Sequence, residues 1–73
     1  MNDKLEKVIS NAETHYDGHF TLMKFTTNWR ACYGTVSERF EIEQMRVGTT
    51  MEEALQALLI SPIDIYQMKR DKF

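Results

Sequence analysis

The chain has 73 residues, of which 27% are charged and 42% hydrophobic, and a formal net charge of −2 at pH 7. At this length one domain buries roughly 60% of the surface its unfolded chain exposes, so stability is marginal and self-association would add to it. The single cysteine, Cys32, excludes an internal disulfide and a multi-cysteine metal cluster, which suits a reducing, cytoplasmic setting. The absence of a basic field argues against the phosphate-neutralising surface of a dedicated nucleic-acid binder. Asp3, Glu6 and Glu13 interrupt the N-terminal region, so neither a signal peptide nor a membrane span is expected.

In chain order, Asn2 or Asp3 can cap a first helix, with Asp3 and Glu6 placed where the macrodipole favours acidic groups. Leu5, Val8, Ile9, Ala12 and Tyr16 follow at helical spacing, and Asp17-Gly18 stops the run with a glycine suited to a left-handed backbone.

The stretch from His19 to Thr35 is rich in β-branched and aromatic residues and reads as a hairpin reversing at Thr27-Asn28. That register places Thr26 opposite Trp29, Lys24 opposite Ala31, Leu22 opposite Tyr33 and Met23 opposite Cys32. The face with Phe20, Leu22, Trp29, Ala31 and Tyr33 has the larger apolar area and is assigned to the core. The other face, with Met23, Phe25 and Cys32 beside Thr21 and Arg30, is then a half-apolar surface seeking a partner.

Further on, Phe40-Glu41-Ile42-Glu43 alternates apolar with acidic, as in a third strand with one wet face, and the alternation breaks in a bulge or loop near Gln44. Thr50 followed three residues later by Glu53 forms a capping box, so a helix begins there and buries Met51, Ala54, Leu55, Leu58 and Leu59, with Ala57 and Ile60 widening the stripe towards a second contact. Ser61-Pro62 ends it. Ile63, Tyr66, Gln67 and Arg70 would share one face of a short C-terminal helix, although Ile63 and Ile65 also fit an added strand. The expected fold is α+β: a three-stranded antiparallel sheet with two helices on one face, in the order α-β-β-β-α plus the short C-terminal helix, all within one domain.

Chemistry-bearing residues are few. His15, Asp17 and His19 are ligand types, but a helix end passing into a strand should send their side chains in different directions, so neither a metal site nor a general base is assigned. Cys32 lies mid-strand, where a thiol is usually a small inert hydrophobe. No catalytic residue, metal or cofactor is expected.

The order α-β-β-β-α is similar to that of double-stranded-RNA-binding domains. That family places lysines at the start of its second helix, where this chain has Thr49-Thr50-Met51-Glu52-Glu53. The stretch Gly48 to Leu55 also resembles the helix start of HicB-type antitoxin domains. Gly18-His19, the run Met23 to Arg30, Gly34-Thr35, Met45, and Gly48 with Thr50, Glu53 and Ala54 resemble a group of small phage, prophage and bacterial proteins of unassigned activity. That resemblance implies a cytoplasmic setting in a bacterial or phage-infected cell. In such settings, small domains without catalytic constellations often act as inhibitors of host or bacterial-defence proteins.

The expected function is protein binding by surface occupation, with Met23, Lys24, Phe25, Trp29 and Arg30 of the hairpin and Glu52 and Glu53 of the second long helix as interaction residues. The partner is another protein, a homodimer through the exposed sheet face is compatible, and no membrane is involved. The alternative is nucleic-acid binding centred on Lys24, Arg30 and the hairpin aromatics.

Overall fold

The computed structural model describes residues 3–67. Its elements are α1 (Asp3–His15), β1 (Phe20–Lys24), β2 (Trp29–Tyr33), α2 (Arg39–Gln44), β3 (Arg46–Gly48) and α3 (Met51–Ile60), and residues 65–67 add a helical turn. The class is α+β, with three antiparallel strands in the spatial order β1-β2-β3. No described helix is long and apolar enough to cross a membrane.

Helix α1 buries Val8 and Ala12. Asp3 opens it, and Asn2 lies outside the described residues. Its end is tightened by the Gly18 amide donating to the Ala12 carbonyl at 2.8 Å. Asp17 (φ 59) and Gly18 (φ 81) are both left-handed there, a conformation aspartate tolerates better than most side chains.

The hairpin forms, but it reverses at Thr26-Thr27, with the Phe25 amide donating to the Asn28 carbonyl at 2.7 Å. Phe20 therefore pairs with Tyr33, Leu22 with Ala31, Met23 with Arg30 and Lys24 with Trp29, two places from the expected register. The left-handed tolerance of Asn28 goes unused, since Asp17 is the only described non-glycine residue with positive φ. Its amide oxygen accepts instead from Arg30 Nε at 3.1 Å. A shift of two preserves the facing of every side chain. Phe20, Leu22, Trp29, Ala31 and Tyr33 accordingly pack with Val8 and Ala12 of α1 and Ala54, Leu55 and Leu58 of α3, so both longer helices lie on one face as expected.

The other face is the larger correction. It is covered from within: Cys32, Met45 and Ile65 are buried together, with Met23, Val36, Ile42 and Ile63 packed against them. Residues expected to form the third strand, Phe40 to Glu43, lie in α2, and the strand follows at Arg46–Gly48. Glu41 decides this. Fully buried, its Oε1 accepts from the Glu38 amide (2.7 Å), the Ser37 amide (2.9 Å) and the Ser37 hydroxyl (3.1 Å), drawing the chain into a helical turn. Helix α2 is then an insertion between β2 and β3 that supplies Ile42 to the second core.

Gly48 seats α3 on the sheet. A methyl group on it would overlap the Ala54 amide nitrogen and lie 2.6 Å from Glu53 backbone and side-chain carbon. Beyond α3 both readings of the tail hold in part. Asp64 bridges Tyr33 in parallel, with the Tyr33 amide donating to the Ile63 carbonyl at 2.9 Å, and a helical turn starts at residue 65. Arg70, placed on that C-terminal helix, lies outside the described residues.

Candidate interaction surface

The hairpin residues singled out above are largely engaged within the fold. Met23 packs against the second core, and Trp29 is half-buried against the first. Lys24 Nζ sits 5.7 Å from the Trp29 ring centroid and donates to the Phe25 carbonyl at 3.3 Å. The Arg30 guanidinium lies 5.4 Å over the Phe25 ring, and its Nη1 donates to the Ile42 carbonyl at 3.0 Å, tying the hairpin to the end of α2. Arg30 is therefore a brace between two elements, whereas Lys24 and Phe25 stay exposed at the tip.

Glu52 and Glu53 have a different setting. Thr50 Oγ accepts from the Glu53 amide at 3.1 Å, while Glu53 Oε2 reaches back to the Thr49 amide at 3.0 Å. This is the reciprocal cap expected from the sequence, displaced by one residue on the carboxylate side. The cap holds one carboxylate at the mouth of an open groove of about 570 Å³ along the outer side of α3. Val47, Ala57 and Ile60 are its apolar lining, with Lys4, Glu52 and Glu53 as the charged lining. Ile60 is 73% exposed and Val47 49%, the two most exposed large apolar side chains among the described residues. Seven residues of helix separate Glu53 from Ile60, about 10 Å of rise.

Ile60 was legible as the outer margin of the α3 stripe. Val47 was not, because its role depends on β3 starting after Met45.

At the other end of α1, His15, Asp17 and His19 border one recess without forming a metal-type cluster among the described residues, in keeping with the expectation that they do not converge on a ligand. With Tyr16, Asp64 and Tyr66 they line this recess of about 350 Å³. The reversal through two left-handed residues folds His19 back beside the helix end, and the Tyr33–Asp64 bridge brings in the tail. Tyr16 stacks on the buried Tyr33 at 4.0 Å and 7°, and His19 meets Tyr66 edge-on at 6.3 Å. No group of three or more His, Cys, Asp or Glu among the described residues is arranged to hold a metal ion. Cys32 is fully buried, and burial pushes its thiol up to about 12, outweighing a hydrogen bond with Thr21. It is no nucleophile at neutral pH.

Comparison with protein-family models, curated proteins and solved structures gave no significant match to this chain.

Proposed function

We propose that this chain is a protein-binding domain that acts by occupying a surface on its partner, with the groove along α3 as the contact. The observation that carries the reading is the pairing of two exposed aliphatic side chains, Ile60 and Val47, with Glu52 and Glu53 in one open concavity. Aliphatic groups left this exposed on so small a domain lose stabilisation that a partner would restore. The seven-residue separation of Glu53 from Ile60 along α3 specifies the occupant: an extended or helical protein segment with an aliphatic anchor about 10 Å from a lysine or arginine. The hairpin reading of the same function is weakened by the internal engagements of Lys24, Trp29 and Arg30. The tie from Arg30 to the Ile42 carbonyl also weighs against nucleic-acid binding, because it leaves Lys24 as the hairpin's one exposed cation among the described residues. An inhibitor of a host or bacterial-defence protein is the biological form this binding would take if the occupied surface is functional in the partner.

The test is capture from nuclease-treated bacterial lysate by the wild-type chain and by Ile60→Asp, followed by carbodiimide cross-linking. The reading predicts a protein retained by the wild type, lost with Ile60→Asp, and joined through a lysine to Glu52 or Glu53. Retention that is indifferent to Ile60→Asp, or that vanishes with nuclease, overturns it.

A further inference from the structure

The recess at the C-terminal end of α1 lies eleven residues along the helix from Lys4, about 16 Å from the groove by helical rise, and its chemistry is different. Among the described residues, Asp17 and Asp64 line it and no lysine or arginine does. The end of α1 adds the partial negative charge of its terminal carbonyls. Its walls are aromatic: Tyr16, braced from behind by the stacked Tyr33, and Tyr66, which His19 meets edge-on. Asp64 is held in place by the Tyr66 amide, which donates to its Oδ1 at 2.9 Å. Its charge also reaches the Tyr16 hydroxyl, whose pKa is raised by burial first and then by Tyr33 and Asp64.

We propose that this recess is a binding site for a guanidinium group. Two carboxylates and a helix C-terminus disfavour anions, and no His, Cys, Asp or Glu group among the described residues is arranged for a metal ion. Among organic cations, guanidinium has the planar face that stacks on tyrosine and the forked donors that match carboxylates; a lysine ammonium has neither. The same chemistry is carried by an arginine side chain of a protein and by a free guanidino metabolite, so both are candidate sources. This site stands independently of the groove.

The experiment is a titration of the isotope-labelled full chain, followed by nuclear magnetic resonance, with N-acetyl-arginine-N-methylamide as probe and the equally blocked citrulline as its uncharged isostere. The proposal requires saturable shifts at His15, Asp17, His19 and Tyr66 with the arginine probe and none with citrulline. Asp17→Asn and Asp64→Asn should each weaken binding about two- to fivefold, the range of a partly exposed charge pair. Asparagine at position 64 retains an acceptor for the Tyr66 amide, so loss there reports charge and not misfolding. Methylguanidine, a singly charged guanidinium without peptide groups, identifies the source in a parallel titration: tighter binding than the blocked arginine indicates a free guanidino compound, and weaker binding indicates a protein side chain. Absence of shifts at the recess, equal shifts with citrulline, or unchanged affinity in both asparagine variants overturns the site.

Discussion

Helices α2 and α3 begin in the same way, and only one of these starts is visible in the sequence. Each has a glutamate in its first turn reaching back to backbone amides: Glu53 to Thr49, and Glu41 to Ser37 and Glu38. At α3 a threonine N-cap completes the pattern on the exposed surface, and ten helical residues with a clear apolar stripe follow. At α2 the N-cap is Glu38 and only six residues follow, alternating in a way that also fits a strand. The carboxylate that organises α2 is fully buried, whereas Glu53 is exposed. A cap read from sequence is dependable when its helix is long enough to show a period; a short helix placed by a buried carboxylate shows none.

The strongest way to break the contrast is at Gly48. Placing a methyl against the backbone of Ala54 and Glu53 must move α3 off the sheet, so Gly48→Ala is expected to cost about 3 kcal/mol or more in urea unfolding. Next is Glu41→Ala, which removes an acceptor of three hydrogen bonds from a buried position and should cost about 2 kcal/mol. Glu41→Gln keeps an acceptor oxygen and should retain most of the stability. If Glu41→Ala is silent, α2 is not held by that carboxylate.

Cys32 sharpens the comparison from beneath, because the cover that contributes Met45 and Ile42 also buries the thiol. The unfolded chain loses the thiol proton above about pH 8.5, while the folded chain keeps it until about 12. The unfolded state then binds fewer protons, so stability falls as pH rises through that window, by up to about 1.4 kcal/mol per pH unit. Urea midpoints from pH 8 to 9.5, below the range where Tyr16 adds its own slope, should show this fall in the wild type and lose it in Cys32→Ala. Alkylation of native Cys32 should proceed only as fast as the protein opens.

The smallest effects belong to the exposed cap. Thr50→Ala should cost about 1 kcal/mol. Glu53→Ala should cost about half that, since its bond to the Thr49 amide is replaced by water. Circular dichroism melts would rank them, and an Ala at position 50 costing more than one at position 41 would invert the comparison.

Local periodicity was sufficient to determine α1, its left-handed stop at Gly18, the hairpin with its helix-facing side, and the capped start of α3. Each rests on interactions among residues near in sequence, or on a facing that survives a two-place shift of register. The insertion of α2, the covering of Cys32, and the closing of one recess from the end of α1 and Asp64 of the tail were decided by the tertiary structure. Their cause lies in distant contacts: a carboxylate whose burial depends on the cover above it, and a tail that bridges Tyr33 some thirty residues away in sequence. Spacing along the chain carries no trace of such contacts, because the free energy that selects them comes from burial completed only when the whole domain has closed.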